Sequence, residues 1–341
     1  MHSDERYSRQ IRFSPIGREG QARISAARIA LIGAGALGSV SAEILARAGV
    51  GFIRIVDRDF VEISNLQRQS LYDEDDVRQN LPKATAAGIK LRRINSSIQV
   101  ESIVDDVNSM NVEEYIQDVD LVLDALDNFE SRFVLNDACA RHSRNWVYAA
   151  AVGSYGFILP IMPGKSPCLR CLLGSLPAPG TSPTCDTAGV IGPITHTIAS
   201  MQAAEALKLI CAVLQPNQIR LVSYDLWSHA FQRMDLGTEV MASCPVCTEG
   251  RFDYLNASPL RTVTLCGRNA VQLIPAVKAD LDFTELSKSI PAEGGVQYNE
   301  FLLKCSAPPY EVTLFKDGRA IVRGTEKASL ARSVYSKLIG V

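Results

Sequence analysis

Long apolar runs are missing from this 341-residue chain; no stretch approaches the roughly 20 residues that span a bilayer. Nor does an apolar segment follow a basic start, since Met1–Gln10 is polar. The expected compartment is therefore the cytoplasm, with no membrane partner. A charge excess of either sign is missing too. Lys and Arg total 35 against 37 Asp and Glu, a net −2, which argues against nucleic-acid binding by bulk electrostatics. Histidine is scarce: His2, His142, His196 and His229 show no ligand spacing, and surface or capping roles suit them. No G-x-x-x-x-G-K-[ST] occurs, so a P-loop kinase or GTPase is not expected. Repeats and low-complexity tracts are absent as well.

What is present is core-forming material, 47% hydrophobic residues over a length comfortable for two domains. The chain is organised around Ala30-Leu-Ile-Gly-Ala-Gly-Ala-Leu-Gly38. The apolar run Arg28–Ile32 reads as a buried strand. Gly33, Gly35 and Gly38 then form G-x-G-x-x-G at the start of an apolar helix. Gly33 permits the tight turn, Gly35 lets backbone approach a phosphate, and Gly38 lets helix and strand pack closely. The helix N-terminus turns unpaired N–H groups toward the anion. A second strand, Gly51–Val56, ends in Asp57, about where such folds place a carboxylate on ribose hydroxyls. The pattern says nucleotide without saying which chemistry.

The βαβ alternation continues downstream. A helix is predicted over Leu81–Ile94, with Pro82 in its first turn and Lys83 at its start, the less favourable helix end for a cation unless an anion sits there. Strand Ile98–Val104, helix Val112–Gln117, strand Asp120–Ala125, helix Glu130–His142 and strand Trp146–Ala151 follow. Asp127 lies just past a strand end, on the edge where open α/β sheets gather ligands. Residues 4–25, rich in Arg, read as a solvated N-terminal helix or arm. Residues 153–187 read as a long connection, followed by a helical pattern over Gly189–Leu214 interrupted near Gly192-Pro193, and a strand, Ile219–Tyr224. From about Asn256 short strands take over: Arg261–Leu265, Glu300–Ser306 and a hairpin Tyr310–Arg323 turning at Lys316-Asp-Gly318, flanked by helices Phe283–Ser289 and Ser329–Ile339. The expected architecture is a Rossmann-like, doubly wound, mainly parallel α/β domain over residues 1–255 and a smaller α+β module over 256–341.

Nine cysteines in a chain with no export signal read as thiols or metal ligands before disulfides. Cys168-x-x-Cys171 and Cys244-x-x-Cys247 are two chelate-sized pairs. Brought together they make a closed, structural Zn site; a redox CxxC or plain buried thiols are the alternatives. Cys139, Cys211, Cys266 and Cys305 read as core residues. Cys185 precedes a helix start, where a thiol gains thiolate character, although a bystander fits equally. Individually Arg9, Arg68, Lys83, Asp57, Asp59 and Asp127 read as surface charges; all but Arg9 fall at or soon after strand ends on one sheet edge.

Taken in order, these motifs resemble the ThiF/MoeB/HesA family, bacterial relatives of ubiquitin-activating enzymes. The resemblance covers about residues 4–250. It rests on Arg6-Tyr-Ser-Arg9-Gln, the glycine turn, Asp57-Arg-Asp59 with Ser64-Asn-Leu-Gln-Arg68-Gln, Pro82-Lys83, Leu126-Asp127-Asn128 with Arg132, the two CxxC pairs, and Thr184-Cys185 with Ala188-Gly-Val. It implies an ATP-dependent enzyme that adenylylates the C-terminal glycine of a ubiquitin-like sulfur-carrier protein ending in Gly-Gly, in thiamin or molybdenum-cofactor biosynthesis. By the same resemblance Arg68 and Lys83 contact the phosphates and Arg9 reaches in from the partner subunit of a homodimer. Asp57 holds the ribose, Asn65 sits beside the phosphates, and Asp127 coordinates Mg²⁺ with help from Asp59. Zinc is structural, and Cys185 takes up activated carboxylate or persulfide in some members. No sulfur-transfer domain follows, so a separate donor, a cysteine desulfurase or rhodanese, is implied. The competing reading is an NAD-dependent oxidoreductase, which explains the glycines and Asp57 equally well but not Arg68, Lys83, Asp127 or the paired CxxC motifs.

Overall fold

The computed structural model describes residues 5–177, 188–257, 261–265, 269–275, 279–290, 295–299 and 302–339. The N-terminal segment forms a helical turn, Ser8–Ile11, and helix α1 (Gly17–Ala26). It is docked rather than a free arm. Tyr7 is buried and its hydroxyl accepts from Asn95 Nδ2 at 2.9 Å, while Gln10 Nε2 donates to the Ala48 carbonyl at 2.9 Å. Its polar side chains satisfy backbone groups of the neighbouring layer, a use that composition does not reveal.

Strand β1 (Arg28–Ile32) sends alternate side chains to opposite faces, as the pleat requires. Ile29 and Leu31 enter one core and Ala30 and Ile32 the other. A strand buried on both faces reads as an unbroken apolar run, and it is covered by helices on both sides. The first layer holds α2 (Ala36–Ala48), α3 (Lys83–Ile94) and, further along the chain, α5 (Gly192–Ile210); the second holds α4 (Phe129–Arg141). Each fully buried Ile or Leu in these cores contributes roughly 1.5–3 kcal/mol. Strands β2 (Phe52–Val56), β3 (Gln99–Ile103), β4 (Leu121–Asp124) and β5 (Asn145–Val152) complete a parallel half-sheet ordered β3-β2-β1-β4-β5. Helix α5 (Gly192–Ile210) begins with Pro193 in its first turn, so the predicted interruption is its start.

Beyond β5 the sheet turns antiparallel through β6 (Tyr155–Ile161), β7 (Leu221–Asp225) and β8 (Ala230–Met234). Strand β6 corrects the expectation of a connection starting at 153. Val152 pairs with Tyr155 across Gly153, whose φ of +61° suits a two-residue hairpin. Pro160 lies past the last β6–β7 pair, Ile158 with Val222, where it breaks no ladder on that side. Strand β8 is exposed along its length and has no apolar alternation to read.

A second, six-stranded antiparallel sheet follows, β9 (Arg261–Leu265), β10 (Ala270–Ile274), β11 (Val296–Tyr298), β12 (Leu302–Ala307), β13 (Tyr310–Phe315) and β14 (Ala320–Arg323), ordered β11-β12-β13-β14-β10-β9. Helices α6 (Phe283–Ser289) and α7 (Ala328–Ile339) close its core. Cys139, Cys211 and Cys305 are buried as expected, and Cys266 lies outside the described residues. The described helices include none long and apolar enough to cross a membrane.

Candidate active site

Strand register assembles the site. Ile32 pairs with Val56 on one side and Asp124 on the other, so Gly33, Asp57 and Ala125 leave the sheet at one level. The chain runs from β1 to β2 on one side and returns to β4 on the other, which opens a crevice at the strands' carboxyl ends. That crevice is a cavity of about 560 Å³. Gly33, Gly35, Asp57, Asp59, Asn65, Arg68, Lys83 and Asp127 all border it.

The three glycines have separate reasons. Gly33 has φ +97°, and a Cβ there would strike the Ala125 carbonyl oxygen. Gly38 lies under the turn, where a Cβ would strike the Gly33 carbonyl oxygen. A Cβ on Gly35 would meet nothing of the protein nearer than Gln69 Nε2, at 3.8 Å. The protein leaves that space open beside the N-terminus of α2, a cradle for an anionic group. Asp57 ties the turn together: Oδ2 accepts the Ala34 N–H at 2.6 Å and Oδ1 the Asp59 N–H at 2.7 Å. A carboxylate has about four lone-pair sites, so Asp57 keeps acceptor capacity toward the cavity.

Lys83 is 7% exposed at the first position of α3, after Pro82. A buried ammonium at a helix N-terminus needs anions, and it has them. Its Nζ lies 3.2 Å from Asp59 Oδ2. Burial presses the Lys83 ammonium down, but Asp59, Asp57 and Asp127 outweigh it and hold the pKa above the ordinary lysine value. Burial likewise pushes Asp59 up, while Lys83 and then Arg58 overcome it and keep the carboxyl below its usual range. Both groups are therefore charged across neutral pH. Arg68 is half-buried, with Nη1 donating to the Ser64 carbonyl at 2.9 Å. Asn65 is buried and its Oδ1 accepts the Glu62 N–H at 3.2 Å. Asp127 is exposed; the neighbouring Asn128 donates Nδ2 to its Oδ1 at 3.3 Å and caps α4.

Two sequence-predicted residues stand apart. Arg9 is exposed and not on the wall of its own chain's cavity. Cys185 lies outside the described residues. Sequence reasoning gave no role to Arg58, although it sits inside the Asp57-Arg-Asp59 motif; Nη1 pairs with Asp106 Oδ1 at 2.6 Å on the cavity wall. Arg132, quoted in a motif without a role, also lines the cavity and holds Asp124 at 3.3 Å. Lys337, from α7, borders the cavity more than 250 residues after Lys83 and carried no local signal.

Away from the cavity, Cys168, Cys171, Cys244 and Cys247 bring their sulfurs within 4.8 Å of one another. The separations of 3.8, 3.7 and 3.6 Å between neighbouring pairs match the roughly 3.8 Å edge of a tetrahedron with ~2.3 Å zinc–sulfur bonds. The cluster fits a closed zinc site joining two short helical turns, Leu169–Leu173 and Pro245–Glu249.

The ThiF family matches residues 7–246. The chain is 43% identical over 337 residues to the sulfur carrier protein ThiS adenylyltransferase of Bacillus subtilis (strain 168), covering 98% of this chain and 99% of that one. It is 37% identical over 248 residues to the sulfur carrier protein adenylyltransferase of Thermus thermophilus, covering 71% and 90% respectively. A crystal structure of E. coli MccB aligns with a TM-score of 0.61 at 23% identity over 72% of each chain, a likeness of fold. With the glycine turn, Asp57, Arg68, Lys83 and Asp127 around one crevice, the chain belongs to the ThiF family and is an adenylyltransferase.

Proposed function

We propose that this enzyme adenylylates the C-terminal glycine of a ubiquitin-like sulfur-carrier protein ending in Gly-Gly, at the expense of ATP. The observation that carries the reading is the placement of Lys83, Arg68 and Asp127 around the open space at Gly35. In the reaction a carrier carboxylate oxygen forms a bond to the α-phosphorus of ATP. The bond from that phosphorus to the bridging oxygen breaks, and pyrophosphate leaves with the electron pair. The chain has little covalent work to do; it positions the nucleotide and stabilises charge.

Lys83 stays protonated and presents a fixed positive charge, and Arg68 adds a second from the turn after Asn65. Asp57 takes the ribose hydroxyls with its spare lone pairs. Asp127, an exposed oxygen donor on the same wall, suits a hard cation such as Mg²⁺, which would neutralise phosphate charge; Asp59, already engaged with Lys83, supports it indirectly. Arg9 acts from the partner subunit of a homodimer, which accounts for its exposed position here. After adenylylation Cys185 takes up the activated carboxylate as a thioester while AMP leaves, or joins a persulfide whose outer sulfur is passed from the persulfide of a separate cysteine desulfurase or rhodanese, which is released as a thiol. The carrier assigns the chain to thiamin or molybdenum-cofactor biosynthesis.

The test is exchange of labelled pyrophosphate into ATP with Mg²⁺ and a panel of purified carriers ending in Gly-Gly. Exchange that depends on one carrier supports the reading and names the pathway. No exchange with any carrier, together with binding of NAD, would instead favour oxidoreductase chemistry at the same turn. Arg9→Ala mixed with Asp127→Ala should recover activity that neither has alone. Absence of recovery after demonstrated subunit exchange removes the trans arrangement.

A further inference from the structure

The cavity has a wall that does not come from the family-matched region. Lys337 lies beyond residue 246, yet it borders the cavity together with Asp59 and Lys83. Helix α7 is held in that pose from two sides. Ala331, Tyr335, Leu338 and Ile339 are buried in the core of the second sheet. On another face Ser333 donates Oγ to Asp59 Oδ1 at 3.2 Å. Lys337 follows Ser333 by four residues, so the two share a helix face. Arg332 pairs with Asp106 Oδ2 at 2.6 Å, while the other oxygen of that carboxylate pairs with Arg58 at 2.6 Å. The module is thus bonded to the two carboxylates that flank the nucleotide turn on the β2–β3 side.

The charge of the cavity gives this placement a use. Arg58, Arg68, Lys83, Arg132 and Lys337 line it against six carboxylates. A triphosphate adds about four more negative charges, so its binding gains from each further cation on the wall. Lys337 also contributes to keeping Asp59 ionised, which places its charge near the Asp59–Lys83 pair.

We propose that Lys337 is a nucleotide-binding residue, delivered by the C-terminal module to the triphosphate side of the cavity beside Lys83 and Asp59. The inference rests on the adenylylation reading of this cavity. It makes the module a working wall of the active site rather than an appendage.

The experiment measures binding of a non-hydrolysable ATP analogue and of adenosine, with Mg²⁺, to the full-length wild type and to Lys337→Ala, Lys337→Gln and Lys337→Arg. The expected result is a rise in Kd for the analogue of about 10-fold or more in the Ala and Gln variants, the size of a lost hydrogen bond to a charged group. Adenosine binding stays unchanged, Lys337→Arg restores most of the affinity, and in pyrophosphate exchange KM for ATP rises more than kcat falls. Wild type that binds the analogue with folded Gln and Arg variants equal to it overturns this inference alone. Wild type that binds no ATP analogue overturns both this inference and the reading it rests on. If Lys337→Ala melts early, the comparison of Gln with Arg decides.

Discussion

Arg68 stands half-buried on the cavity wall, whereas Lys83 is 7% exposed and locked to Asp59. Both are proposed to contact phosphate, yet their removal has different costs. Arg68→Ala should lower carrier-dependent exchange by about 10²–10³-fold, the loss seen for one preorganised donor, with unchanged melting. Lys83→Ala should lose exchange similarly and also destabilise the fold by about 3 kcal/mol, because Asp59 keeps its burial and loses its principal partner. Arg58 at 3.7 Å from Asp59 keeps that figure at the low end of the range for broken buried pairs. Thermal melting beside the exchange assay separates the two. Asp137 offers a pH test. It is buried in α4, accepts the N–H groups of Tyr254 and Leu255 at 2.9 and 3.3 Å, and burial raises its pKa to about 6. A carboxyl whose folded pKa exceeds its unfolded value of about 3.9 favours the fold below that value; the contribution is lost as pH rises through 6. Relative to Asp137→Asn, wild type should lose on the order of 2–3 kcal/mol between pH 4 and 7 in urea titrations. A flat difference would show that Asp137 titrates normally.

At the scale of elements, the β1–α2 turn was legible because its glycines answer local steric demands. The structure divides those demands in two. Gly33→Ala forces a side chain into a left-handed backbone against the Ala125 carbonyl and should cost at least about 2 kcal/mol of stability. Gly35→Ala places a methyl in space that no protein atom fills, so melting should stay at the wild-type value while ATP affinity drops by about tenfold. Equal melting losses in both variants would remove the ligand-based account of Gly35. The parallel strands and the helices between them were legible from periodicity, to within a residue or two at their ends, while α5 is shorter than its predicted span by three residues at the start and four at the end. Strands β6 and β8 were not. Pro160 and the glycines disguise the first, and the second shows water both faces, so neither carries the pattern by which strands are recognised.

For the whole molecule, the four cysteines join segments more than 70 residues apart within one core layer. Metal analysis should find one zinc ion per chain. Chelation should lower Tm by roughly 5–10 °C, as a loss of a few kcal/mol does in a chain of this size, without acting at the nucleotide cavity. Protein free of zinc that melts at the same temperature would refute the clamp.

The amino-acid order by itself determined the nucleotide turn, the alternation that builds the parallel half-sheet, the cysteine pairs and the family, because each depends on neighbours within about 30 residues or on motifs in sequence. Tertiary structure alone decided that Lys83 is neutralised by Asp59, that Arg58 and Arg132 line the same cavity, and that α7 brings Lys337 there from the far end of the chain. Those facts depend on strand register and on one core docking against another. Such long-range contacts are fixed by packing energies summed over the whole fold, and they leave no mark in the local pattern of residues.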